Sequence, residues 1–309
     1  MNAIRDGQMI SSGSLAARWW RAGSLAFLTC GCNRGILDPA GPVGSAEKQI
    51  LINSTAIMLA IIIPTMIATV AIAFWFRRGN AKAAYRPDWE YSGAIELVVW
   101  AIPALTIMLL GGIAWIGSHA LEPSKPLKSA VPPIRVDVVS MDWKWLFIYP
   151  DQHIATINQL VLPVQTPVSF RLTSATVWNV FFVPQLGTQI YAMPRMTTRL
   201  NLQADRQGTF EGLSAHFSGD GFPGMRFQVH SVPPQQFAAW VQSARGSGPV
   251  LDQRAYGLLS QPTSYVKPMT FSNVDPRMFD AIASGHTLQP PQLTRSLPAR
   301  GIGSTGLGK

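Results

Sequence analysis

Residues 212–225 read GLSAHFSGDGFPGM. Ser214 and Ser218 stand four apart with His216 between them, and Met225 closes the stretch. Small polar residues at fixed offsets around one histidine look like a frame in which a group could be bound. The available donors decide what that group could be. The chain has two cysteines, Cys30 and Cys32, both near the N-terminus. Beyond them neither a disulfide nor a thiolate metal site can form. His216, one of five histidines with no cysteine nearby, reads first as a surface or hydrogen-bonded side chain.

Glu96, in the stretch AIELVVW, is the second residue whose type could do chemistry. It opens a long apolar run. Ionisable groups on membrane helices often mark proton paths. A carboxylate near a helix N-terminus is also held there by the helix dipole, worth about 0.3–1 kcal/mol. The two readings are compatible. Cys32 is the third: RWWRAGSLAFLTCGCN resembles a bacterial lipoprotein signal, cleaved before Cys32 so that its thiol can be acylated. Thr29 is an imperfect match at the third position before that cysteine, and an unprocessed apolar leader is the alternative.

Two elements must position Glu96. Residues 50–76 and 97–118 are uncharged apolar runs, each long enough for the roughly 20 residues of a membrane helix. Pro64 and Pro103 lie inside them, which membrane helices tolerate. The connector between the runs carries Arg77, Arg78, Lys82 and Arg86. Positive charge in a short loop marks the cytoplasmic side, so the runs form a hairpin with both ends outside. Everything after about residue 119 is then external, and an acylated Cys32 at the outer leaflet agrees with that orientation.

The frame must be held by the chain beyond the second apolar run. A proline-rich neck, HALEPSKPLKSAVPP, leads into short runs rich in Val, Ile, Thr and aromatics. Residues 134–140, 143–149, 155–161, 168–174, 197–203 and 225–230 read as strands with turn residues between them. Many short strands at this spacing predict a β-sandwich or barrel. Residues 233–245 read as a helix closing it. Weaker helical patterns at 253–261 and 275–284 are expected to lie on the domain. The end, rich in Pro, Gly, Ser and Thr, is expected to be disordered. The expected divisions are a signal peptide at 1–31, hairpin and neck at 32–133, a β-domain at 134–245, an extension at 246–287 and a tail at 288–309.

Composition agrees with a membrane protein that has a soluble part. Charged residues make up 13% of the 309-residue chain, and mean hydropathy is positive. The net charge of +9 would suit nucleic acid only if the basic residues clustered on one element. They are scattered apart from small groups beside the apolar runs, and nucleic-acid binding is set aside.

The stretches ALEPSKPL, SMDWKWLFIYP and GTQIYAMPRMTTRL, behind a lipoprotein-like hairpin, give the chain a family resemblance. From about residue 32 to 284 it resembles subunit II of the haem–copper terminal oxidases, and among these the cytochrome bo-type ubiquinol oxidases. The resemblance implies a cupredoxin-like fold for the β-domain. In the cytochrome c oxidases of that family the frame supplies a dinuclear copper centre, with the pattern Cys-x-Glu-x-Cys-x-x-x-His-x-x-Met and another His upstream. Here the cysteine positions hold Ser214 and Ser218, the glutamate position His216, and the downstream histidine position Phe222. Met225 matches, and the upstream histidine position holds Asn179.

A serine hydroxyl is hard, neutral near pH 7 and a poor copper ligand. The expectation is therefore a cupredoxin-like sandwich lacking its copper site. Because such centres receive electrons from cytochrome c, their absence argues for a membrane-soluble quinol as donor. The resemblance further implies that this chain holds no cofactor of its own. It places haems and the remaining copper in subunit I, the main partner, with subunits III and IV beside it in the bacterial inner membrane and the β-domain in the periplasm. It puts Glu96 at the mouth of a proton channel of subunit I. Trp143, Trp145 and Phe147 lie on the electron path of copper-bearing relatives, and here read as core and interface packing. Two alternatives stay open: a cytochrome c oxidase subunit II that accepts electrons through copper, and a membrane-anchored cupredoxin-like copper chaperone.

Overall fold

A computed structural model describes residues 35–84 and 86–285. The lipoprotein-like leader with Cys32, and the tail from about Leu288, lie outside the described residues. The two apolar runs form helices α1 (Pro42–Trp75) and α2 (Gly93–Ala120). They pack as a hairpin, closely enough that a Cβ on Gly117 would meet the side chain of Ile50 at 2.7 Å. Their flanks are apolar and uncovered: Leu97, Trp100, Ile107 and Trp115 are each about 70% exposed. Apolar surface of that extent marks contact with lipid or protein.

α1 starts earlier than the apolar run suggests. Its 34 residues extend about 50 Å, well beyond the roughly 30 Å hydrocarbon core of a bilayer. The extra turns dock on the β-domain. Ala40 N donates to Gln185 O at 2.6 Å, Gly44 N to Leu186 O at 3.0 Å, and Asp205 N to Ala40 O at 2.7 Å. Val43 and Gly44 are buried there.

The β-domain is a sandwich. Six strands make one sheet: β1 (Ile134–Met141), β2 (Lys144–Tyr149), β3 (Ile154–Ile157), β5 (Val168–Ser174), β8 (Thr198–Leu202) and β12 (Met269–Phe271). Their order across it is β12-β3-β2-β1-β5-β8. Five make the other: β4 (Gln159–Pro163), β6 (Asn179–Phe182), β7 (Ile190–Ala192), β9 (Gly208–Ser214) and β10 (Arg226–Val232). Their order is β4-β10-β9-β6-β7. β11 (Val250–Leu251) and β13 (Asn273–Val274) pair separately. Helix α3 (Pro234–Arg245) closes the sandwich, and α4 (Gln253–Leu259) and α5 (Met278–Ser284) lie in the extension.

The run at 155–161, expected as one strand, is two strands in different sheets. Asn158 breaks it with φ of 52°, a left-handed conformation that Asn tolerates better than most residues. Its side chain stabilises the break: Oδ1 accepts from Trp145 N at 2.8 Å and Nδ2 donates to Val266 O at 2.8 Å. β6, β7 and β9 are absent from the strands expected from sequence. β6 and β7 are only four and three residues long, and β9 carries a glycine at each of two positions, Gly208 and Gly212.

Every residue of β2 is buried, because both sheet faces are covered. Trp145 and Phe147 point into the sandwich with Phe170, Phe181 and Phe227, and these rings pack with centroids 5.1–6.4 Å apart. Leu146 and Ile148 belong to a second core with Leu251, Phe271, Val274, Met278 and Phe279 of the extension. Burying both faces turns the usual alternation into a nearly continuous apolar run.

Candidate functional site

β6, the end of β9 and the loop to β10 meet at one end of the sandwich. They bring together four of the six frame residues. Ser214 Oγ donates to Asn179 Oδ1 at 3.0 Å, and both side chains are buried. The Asn179 amide in turn donates to Val177 O at 3.4 Å. Ser214 N donates to Met225 O at 3.1 Å. Ser218 Oγ lies 3.9 Å from Met225 Sδ, and Met225 is 1% exposed.

His216 and Phe222 are not gathered in. His216 is exposed, with its ring 6.0 Å from that of Tyr191, and its backbone oxygen accepts from Ser214 Oγ at 3.3 Å. Phe222 sits in a 3-10 turn, Phe222–Gly224, against the exposed ring of Phe217.

Trp143 forms the floor of the loop. Its Nε1 donates to Ser218 O at 2.9 Å, and a side chain at Gly221 would collide with its indole. Lys144, next to it, is 1% exposed. Its Nζ donates to Asp142 O at 3.1 Å and Gln261 O at 2.8 Å. Burial holds that amine below its ordinary value. Burial likewise pushes the Tyr149 phenol up, while its hydroxyl bridges to Val161 N and O. Trp145 and Phe147 are core residues with no exposure.

The donors at this end of the sandwich are two hydroxyls, an amide and one thioether, and Ser214 and Asn179 already satisfy each other. They do not fit a dinuclear copper centre, which needs bridging thiolates. Among the described residues no three His, Cys, Asp or Glu side chains gather as a metal site would require.

Glu96 lies in the first turn of α2, at the far end of the hairpin from the sandwich. Trp100 Nε1 donates to its Oε2 at 3.2 Å. That partner was missed in the sequence, although a spacing of four on one helix places two side chains side by side.

The comparisons with known proteins agree with this architecture. Residues 150–232 match the family described as cytochrome c oxidase subunit II, periplasmic domain, and residues 245–284 match the COX aromatic rich motif. The chain is 43% identical over 274 residues to cytochrome bo(3) ubiquinol oxidase subunit 2 of Pseudomonas aeruginosa, covering 89% of this chain and 83% of that one. It is 43% identical to ubiquinol oxidase subunit 2 of Acetobacter aceti, over 87% of this chain and 89% of that one. Quinol oxidase subunit 2 of Bacillus subtilis is 32% identical, over 83% of this chain and 81% of that one. With a membrane-type hairpin, a cupredoxin-like sandwich and identity of this order over most of both chains, the protein belongs to the subunit II family of the ubiquinol oxidases, which are haem–copper oxidases.

Proposed function

We propose that the chain is the non-catalytic subunit II of a proton-pumping ubiquinol oxidase, without a copper relay of its own. The hairpin braces subunit I within the bacterial inner membrane, and the sandwich covers its periplasmic face. Subunit I holds the haems and copper, and subunits III and IV complete the assembly. Electrons come from ubiquinol in the lipid phase, so no redox centre is needed outside the membrane. An acylated Cys32 positions the N-terminus at the outer leaflet. It is not needed for retention, because two spans already anchor the chain.

The observation that carries this reading is the buried Ser214–Asn179 hydrogen bond, 3.0 Å long, where copper-bearing relatives place a thiolate and an imidazole. Hydroxyl and amide close on each other and leave no soft donor pair. The test is oxygen consumption by the intact, mild-detergent complex with two donors. Ubiquinol is expected to drive it, and reduced cytochrome c without quinone is not. Turnover on cytochrome c, or copper in stoichiometric excess of the haem subunit's own, overturns the reading. Failure of the chain to co-purify with a haem subunit favours a free-standing copper chaperone.

Glu96 takes part in proton uptake in this reading, with Trp100 orienting its carboxylate through the 3.2 Å contact. Glu96→Gln keeps the shape and the hydrogen-bond acceptor but cannot release a proton. It is expected to slow turnover severalfold, with Glu96→Asp recovering part of the loss. Unchanged turnover and unchanged proton pumping in Glu96→Gln remove this role.

A further inference from the structure

A cavity of about 1050 Å³ opens between the end of α1 and the start of α2. Arg77, Arg78, Lys82 and Arg86 line it, together with Trp75 and Trp89. Turns in the connector build it. Asn80 Nδ2 donates to Trp75 O at 2.6 Å and Asn80 N to Arg77 O at 3.0 Å, while Lys82 N donates to Asn80 Oδ1 at 3.1 Å. Four cations from ten consecutive residues therefore face one concavity. The connector's carboxylates, Asp88 and Glu90, are not among the lining residues. Among the described residues none of the four cations is ion-paired.

Simpler roles do not account for this arrangement. Cations offset the carbonyl dipole of a helix only within its last turn, and α1 has no basic residue there. A preference for positive loops on the cytoplasmic side explains the charge but not its convergence on a cavity. Apart from Asn80, the remaining walls are apolar, and Ile72 and Ile95 continue onto the uncovered helix flanks. A ligand that satisfies both halves carries a fixed negative charge at one end and hydrocarbon at the other. Guanidinium forks match phosphate oxygens in pairs, and indole rings favour the boundary between headgroup and acyl chain. A free phosphate would leave the apolar walls unused.

We propose that this cavity binds the phosphate headgroup of an anionic glycerophospholipid, with the acyl chains running along the hairpin past Ile72 and Ile95. The proposal rests on reading the hairpin as membrane-spanning with its connector at the cytoplasmic surface. The site would tie the hairpin to the acidic lipids of that leaflet.

Native mass spectrometry of the delipidated oxidase complex, titrated with phosphatidylglycerol or phosphatidylcholine, tests it. The wild-type complex is expected to hold one phosphatidylglycerol more than Arg77→Gln/Arg78→Gln, whose apparent affinity falls at least about tenfold. Phosphatidylcholine is expected to bind both alike. Equal retention of phosphatidylglycerol overturns the proposal. So does displacement of the lipid by inorganic phosphate at comparable concentration, which would make the site one for soluble anions. Unchanged lipid binding with loss of subunit I also overturns it, in favour of an acidic partner segment. If the double variant does not assemble, Lys82→Gln serves alone, with a severalfold loss expected and no loss overturning the idea. Labelling of Ala81→Cys by an impermeant maleimide separates the two premises. Reaction from the periplasmic side refutes the orientation, whereas reaction from the cytoplasmic side without lipid preference refutes the lipid site alone.

Discussion

Ser214 and Asn179 form a closed polar pair at the loop end of the sandwich. Both are buried, so each polar atom must find a partner within the protein. Their mutual hydrogen bond and the Asn179 amide's bond to Val177 O meet that demand, and the backbone bond from Ser214 N to Met225 O, 3.1 Å, ties the loop down beside them. Ser214→Ala leaves the Asn179 carbonyl oxygen buried without that donor, and is expected to cost about 1–3 kcal/mol. Removing both partners with apolar residues of similar shape is expected to cost less than the sum of the single changes. Chemical denaturation of the four members of this double-mutant cycle checks it, and strict additivity would mean that the bond contributes nothing.

At the scale of elements, the extension packs on the six-stranded sheet through a shared apolar core and strand β12, and one arginine adds a polar tie between them. Arg171 of β5 donates two bonds of 2.7 Å to Asp137 of β1. It reaches Asp280 of α5 at 2.9 Å, and its guanidinium lies 4.5 Å from the Phe279 ring centroid. The two carboxylates are not equivalent: the Asp137 side chain has no exposure, whereas that of Asp280 is 64% exposed. Arg171→Met strands the buried charge of Asp137 and is expected to destabilise the fold by about 3–5 kcal/mol. Asp280→Asn removes a pair that water already screens and is expected to cost less than about 1 kcal/mol. Denaturation midpoints of the two variants check the ranking, and equal losses would mean that burial does not set the difference.

For the molecule as a whole, the overrun of α1 makes hairpin and sandwich a connected body. The segment before the helix threads between Gln185–Leu186 and the strand end at Gln203–Asp205, and Arg206 pairs with Asp38 at 2.6 Å. Gly41 is at the closest point, where any side chain would run into the backbone carbonyl of Gln203. Backbone cannot move aside as a flexible side chain can, and forced overpacking costs typically about 1–3 kcal/mol. Gly41→Ala is expected to loosen the junction. Limited proteolysis of the neck, residues 121–133, is expected to become faster in that variant while the sandwich core stays protected. An unchanged cleavage rate would mean that the junction is not needed to hold the two parts together.

The features readable from sequence were those decided by local composition. Two uncharged runs marked the hairpin, because lipid selects on apolar length alone. The serines at 214 and 218 announced poor copper donors, because ligand chemistry belongs to the side chain itself. The strands at 134–140, 143–149 and 168–174 were legible from β-branched and aromatic runs. Tertiary structure decided what depends on partners distant in the chain. Asn158 switches a single apolar run between two sheets because Trp145 and Val266 reach its side chain. Asn179 finds Ser214 across 35 residues, and the four cations of the connector converge only because Asn80 folds the chain back onto Trp75. Sequence carries the types of groups a chain can bring to bear. Which of them meet, and which are left facing a cavity, is set by packing and by the demand that buried polar atoms be paired.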